Sequence, residues 1–188
     1  MSLLTKRALV ESFKRVLRKK SFKKITISDI TNDCGINRMT FYYHFNDIYD
    51  LVEWAFSDKF KSAVGDFNTY ETWQTGYLQV YLMALEEKEF ISRIFPSMEL
   101  NNIEKFLFRC AHELILNAID SLPEGKLLSE EDKCFISEFY QYTMVGTFLN
   151  WISNGMTEPP EKVVKRFALV AQGTLSHAIE QFPNKNAE

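Results

Sequence analysis

The chain has 188 residues, 46% of them hydrophobic and 25% charged, which leaves room for one or two domains and excludes global disorder. Seven glycines and five prolines are too few for the many tight turns of a sandwich, a barrel or a doubly wound sheet. The net charge of -3 conceals +7 over residues 1–46 and -10 over the remainder, so a basic head that can meet a polyanion sits on an acidic body.

No run of uncharged apolar residues is long enough to span a bilayer, and Lys6 and Arg7 are not followed by the apolar stretch and small-residue site of a secretory leader. The expectation is a soluble, cytoplasmic protein with no membrane partner. Cys34, Cys110 and Cys134 are an odd number at wide spacing, without a CxxC pair. They fit neither a disulfide framework nor a zinc site and are expected to be buried thiols, with no metal or other cofactor.

In chain order, Leu9, Phe13, Val16 and Leu17 mark one stripe of an amphipathic helix from Leu3 to about Lys20. Thr26 followed by Asp29 is a capping-box variant that opens a second helix ending near Cys34, where Gly35 stops it. Asn37 caps a short third helix over Arg38–His44, and Asn46 or Asp47 caps a fourth, running to about Asp66 with Leu51, Val52, Ala55, Phe56 and Phe60 inward. Two short helices joined through Gly-Ile-Asn make a helix-turn-helix.

Further along, Trp73, Tyr77, Tyr81, Ala84 and Leu85 predict a helix to about Glu89, and Pro96 interrupts the next segment. Ile103, Leu107, Cys110, Leu114 and Ala118 predict another, ended by Leu-Pro-Glu-Gly at 122–125. Ser129 with Asp132 opens a helix with two apolar stripes, Phe135, Phe139, Tyr142, Val145 and Leu149 on one and Ile136, Tyr140 and Phe148 on the other. Asn154-Gly155 ends it, and Pro159-Pro160 marks the start of a last helix that carries Val164, Phe167, Ala168, Ala171, Leu175 and Ala178 as far as Pro183. The tail from Asn184 is expected to fray. The fold class is all-α: a three-helix DNA-binding head over residues 1–46, packed on a larger helical bundle over 47–188 for effector binding and dimerisation, with the fourth helix shared between them.

The run ITISDITNDCGINRMTFYYHFNDIYDLV at 25–52 carries the functional signal. Thr26, Ile27, Ile30, Gly35, Ile36, Thr40, Phe41, Tyr42, His44 and Phe45 stand in a pattern that closely resembles the DNA-binding motif of the TetR family of transcriptional regulators. FYQYTMVGTFLNWISNGMTEPPE at 139–161 resembles, more loosely, the penultimate helix and following turn of one subgroup. The resemblance implies a regulator of transcription that binds double-stranded DNA as a homodimer, with Phe41 and Phe45 in the head's own core. It also implies that the aromatic and His/Tyr positions lie against phosphates.

Chemistry agrees position by position. Arg38 can read guanine O6 and N7, the Thr40 methyl can meet a thymine, and Thr26 can hold a phosphate at a helix N-terminus. The expected DNA-binding set is Thr26, Ser28, Asn37, Arg38, Thr40, Tyr42, Tyr43 and His44, with Lys19, Lys20, Lys23 and Lys24 available to flanking phosphates. The family usually carries Lys three residues after the motif's Phe; here that place is Ile48, which leaves the backbone N–H groups of the fourth helix to serve.

An enzyme is not expected. His44, His112 and His177 are far apart, and HExxH, GxGxxG, P-loop and GxSxG patterns are missing. The aromatic excess of the body suggests instead an apolar pocket for a small effector, lined by Trp73, Tyr77, Tyr81, Phe106, Phe108, Phe135, Phe139 and Tyr140, with His112 or Asn117 to orient it. Phe148, Trp151, Ala168, Ala171 and Leu175 on the last two helices are expected at a four-helix dimer interface. The favoured function is a homodimeric repressor released from a palindromic operator by that effector. The alternative is a TetR-like coactivator whose body binds a protein partner.

Overall fold

The computed structural model describes residues 3–97 and 100–182, and within them every regular element is helical. The expected all-α class is therefore observed. In chain order the helices are α1 Leu3–Lys19, α2 Ile27–Cys34, α3 Arg38–His44, α4 Ile48–Val64, α5 Trp73–Glu86, α6 Lys88–Ile94, α7 Leu100–Ser121, α8 Glu130–Ser153 and α9 Pro160–Gln181. The side chain of Ile103 and the tail from Asn184 lie outside the described residues.

Two compact units emerge, one of Met1–Lys61 with Glu87–Ile103 and one of Ser62–Glu86 with Glu104–Glu188. The helix expected to continue from Trp73 to about Glu89 is divided. Glu87, at φ -92° and ψ 16°, leaves the helical region, ends α5 and begins α6, which belongs to the first unit.

In the first unit, α1, α2, α3 and α4 close around Phe13, Leu17, Ile30, Phe41, Phe45 and Leu51, each at most 2% exposed. Burying a side chain of this size contributes about 1.5–3 kcal/mol, so this small core holds the two short helices that could not persist alone. Phe90 of α6 packs edge-on against Phe13 at 5.8 Å. Lys14 of α1 meets the Glu87 carboxylate at 2.9 Å, and Lys59 of α4 bonds the same carboxylate. Those two ammonium groups hold the Glu87 carboxyl below its ordinary pKa, although burial acts the other way.

The second unit is built on α5, α7, α8 and α9. Tyr77 and Tyr81 are buried one turn apart, with their hydroxyls 3.1 Å from each other. The Tyr77 hydroxyl donates to the Met144 carbonyl of α8 at 2.8 Å. Burial pushes the Tyr81 hydroxyl up to about 12, so the pair stays neutral and acts as a structural link between α5 and α8.

Candidate nucleic-acid interface

Local chemistry fixes the helix-turn-helix. Thr26 Oγ1 accepts from the Asp29 N–H at 3.2 Å while the Asp29 carboxylate accepts from the Thr26 N–H at 2.9 Å, a complete capping box at the start of α2. At its end Gly35 takes φ 70°, which a side chain would strain, and the Ile36 N–H bonds back to the Thr31 carbonyl at 3.0 Å. The chain is thereby turned into Asn37, whose Oδ1 accepts from the Met39 N–H at 2.8 Å and starts α3.

With Phe41 and Phe45 buried, the opposite side of α3 faces solvent. Asn37, Arg38, Tyr42 and Tyr43 are exposed, and Thr40 and His44 are half-buried. Arg38 Nη2 donates to the Tyr42 hydroxyl at 3.1 Å, and the guanidinium lies 5.6 Å from the centre of that ring. Met39 is 72% exposed between Arg38 and Thr40, one turn from Tyr43 at 79%. Sequence reasoning missed Met39, although its place in the motif's short helix was the available signal.

Two expectations change. The Thr26 hydroxyl serves the cap and also donates to Asp29 at 2.9 Å, so any phosphate there would meet backbone N–H groups and the exposed Ser28 instead. At the start of α4 the Asp50 N–H is taken by the Asp47 side chain at 2.8 Å and the Asn46 N–H by Asp50 at 2.9 Å. Two carboxylates at that end disfavour a phosphate, and these two amides are committed to them.

The basic residues of the head divide into two groups. Arg15 is paired with Asp33 at 2.7 Å, Lys20 with Asp29 at 2.5 Å, and Lys14 with Glu87. Arg18, Lys19, Lys23 and Lys24 are exposed, and none of them is in an ion pair among the described residues. Lys23 and Lys24 form the turn immediately before the α2 cap.

In the body, Trp73, Leu114, Ile115, Tyr140, Met144 and Phe167, with Ala118, Ala171 and Leu175, enclose a narrow cavity whose walls expose no polar surface. Its unfilled space is about 310 Å³, open solvent included. Of the expected pocket set Trp73 and Tyr140 line it. Tyr77 and Tyr81 are occupied with each other and α8, and Phe108 packs on Tyr142 at 5.0 Å. His112 Nδ1 is 2.8 Å from the Ser137 hydroxyl. Phe135 and Phe139 are each 63% exposed and lie on the outer side of α8, which removes them from any internal pocket.

Residues 71–173 match the family model of a transcriptional-regulator C-terminal region, TetR_C_8. The chain belongs to the TetR family. A curated relative, the HTH-type dhaKLM operon transcriptional activator DhaS of Lactococcus lactis subsp. lactis (strain IL1403), is 29% identical over 94 residues, 50% of each chain. The chain thus spans about half the length of the curated relative it matches. A solved structure described as the dihydroxyacetone kinase operon activator DhaS superimposes with a TM-score of 0.68 over 97% of this chain and 100% of that one, at 24% identity. That likeness is one of fold.

Among the described residues of this TetR-family regulator no cluster of His, Cys, Asp or Glu could hold a metal ion and no helix is long and apolar enough to cross a membrane. None of the three cysteines is in a disulfide; Cys110 is buried, but Cys134 is exposed and Cys34 intermediate, contrary to the expectation of buried thiols. The expected dimer residues are also displaced. Phe148, Trp151, Ala168, Ala171 and Leu175 are each less than 9% exposed within the single chain, where they fill its own core. The apolar residues that α8 and α9 turn outward are Phe135, Phe139 and Tyr142, and Leu169 and Val170 at 77% and 70% exposure.

Proposed function

We propose that this TetR-family protein is a homodimeric, sequence-specific DNA-binding repressor, released from a palindromic operator by a small effector bound in its body. Residues 1–46 bind the duplex, and residues 47–188 bind the effector and the second copy. The observation that carries the DNA reading is the exposed face of α3, where Arg38, Met39, Tyr42 and Tyr43 project from a helix held by Phe41, Phe45 and the Gly35 turn. Arg38 reads a base edge; Tyr42, Tyr43 and His44 hold phosphates, with Lys23 and Lys24 beside them.

The outward apolar residues of α8 and α9 support the dimer, because five large exposed apolar side chains on two neighbouring helices are unfavourable in water unless covered. A two-fold pair of heads spaced roughly 34–36 Å apart would meet successive major grooves. Effector binding favours a body geometry in which that spacing is lost.

Footprinting on the DNA upstream of its own gene tests the reading: protection of two half-sites with dyad symmetry is expected, and uniform weak protection of all sequences counts against it. A second reading is a coactivator that seats a protein partner on Phe135, Phe139 and Tyr142. It is favoured by the exposure of those rings and by the activator names of both relatives. Transcription assays with the purified protein separate the two, since repression requires only the protein and the operator.

A further inference from the structure

Met39 is the second residue of α3 and stands 72% exposed between Arg38 and the half-buried Thr40. Its backbone is fixed: the Met39 N–H donates to Asn37 Oδ1 at 2.8 Å, and Phe41 and Phe45 anchor the helix from the other side. The open face of α3 therefore carries two rows at four-residue spacing. Arg38 and Tyr42 form one and are bonded to each other, while Met39 and Tyr43 form the other. The exposed Arg38, Tyr42 and Tyr43 each carry a donor that a phosphate or a polar base edge can use. The Met39 thioether is at best a weak acceptor, so it can hold no phosphate, and its apolar surface is better placed out of water.

A lone exposed methionine is common on protein surfaces, but this one stands in the first turn of the helix read above as entering the groove, where side chains reach base edges. In the major groove the base pairs present one methyl group, that of thymine at C5, among hydrogen-bond donors and acceptors. We propose that Met39 is a specificity-determining residue that packs its side chain on the 5-methyl group of a thymine in each half-site. The inference rests on the DNA-binding reading above and names the base that one residue of that face selects. The unbranched thioether has the rotamer freedom to settle on a methyl of this size. Cytosine or a purine at that place offers no methyl and turns toward the thioether a polar edge that it cannot bond.

The test measures, by fluorescence anisotropy, binding of the full chain to the footprinted duplex and to duplexes with uracil in place of each thymine in turn, together with its symmetry mate. Uracil removes the methyl alone. At one position the wild type is expected to lose on the order of fourfold in affinity per half-site, the effect of burying one methyl-sized group. Met39→Ala should bind the thymine duplex more weakly by a similar factor and bind the thymine and uracil duplexes equally. Met39→Leu, which keeps an apolar side chain, should retain the thymine preference. So should Thr40→Ser, which deletes the rival methyl on α3 and keeps the hydroxyl. A uracil scan without effect on the wild type, a preference that survives in Met39→Ala, or one lost in Thr40→Ser overturns the proposal. The scan and Thr40→Ser decide even if Met39→Ala misfolds. Insensitivity to uracil on a site protected with dyad symmetry removes this contact alone, whereas uniform weak protection of all sequences ends the DNA-binding reading with it.

Discussion

Arg38 and Tyr42 are joined on the open face of α3, the guanidinium donating to the phenol oxygen at 3.1 Å. The bond restrains a long, entropically costly side chain before any partner arrives, and Arg38 keeps further N–H donors for a guanine edge. Arg38→Ala is expected to lose about 1–3 kcal/mol on the preferred sequence and to relax discrimination. Tyr42→Phe removes a phosphate donor and should weaken all sequences, with a smaller added loss on the preferred one because Arg38 is no longer restrained. Gel-shift titration with the footprinted site and scrambled duplexes checks both; undiminished discrimination by the Arg38 variant removes it from base readout.

Salt dependence separates free from committed cations. Lys23 and Lys24 are in no ion pair among the described residues, whereas Arg15 and Lys20 bond Asp33 and Asp29. Replacing Lys23 or Lys24 by Ala should reduce the slope of log affinity against log salt by about 1 for each phosphate no longer neutralised. Arg15→Ala should leave that slope nearly unchanged and lower thermal stability instead. Equal slopes for all the variants would show that the turn before α2 does not reach the backbone.

Dimerisation is tested on the outer face. Leu169 and Val170 are exposed, so Leu169→Glu or Val170→Glu should leave the monomer's stability within about 0.5 kcal/mol, as at other surface sites. Either variant is expected to sediment as a monomer and to lose operator binding. By contrast, Ala171→Glu places a charge against the cavity walls and should unfold the second unit whether or not a dimer exists. A wild-type monomer at micromolar concentration ends the dimeric mechanism.

The acid limb of stability should report the α2 cap. The Lys20 ammonium bonded to Asp29, with the Thr26 N–H and hydroxyl, holds that carboxyl at about 2. A folded-state pKa below the unfolded one contributes stability that is present above the ordinary value of 3.8 and is lost as the pH falls toward 2. Urea midpoints of the wild type should therefore drop between about pH 5 and pH 2.5 by more than those of Asp29→Asn. Parallel curves for the two proteins would mean that the cap's charge does not matter to folding.

The beginnings and ends of the helices were legible in the residue order, because caps act over three or four positions. Thr26 with Asp29, Gly35, Asn37, and Ser129 with Asp132 each make in the structure the bond or take the backbone angle that their types imply. The burial of Phe41 and Phe45 follows from their four-residue spacing on one side of a short helix, which leaves Arg38, Tyr42 and Tyr43 outside. Where α5 ends was not legible: Glu87 breaks the helix in mid-pattern while its carboxylate pairs with Lys14 and Lys59, residues 73 and 28 positions away.

The inward side of α8 was equally beyond reach. Its two stripes, Phe135 with Phe139 and Tyr142, and Ile136 with Tyr140 and Phe148, are both apolar, so periodicity cannot rank them. Contacts between helices far apart in the chain choose: the Tyr77 hydroxyl on the Met144 carbonyl, and Tyr81 against Phe148 at 5.0 Å and Trp151 at 4.7 Å, turn the second stripe in. The same rotation puts Phe135, Phe139 and Tyr142 outside, while Val145 of their stripe is buried. Local patterning thus determines that α8 is a helix and where it starts, whereas its rotation about its own axis depends on packing against α5, which no span of neighbouring residues encodes.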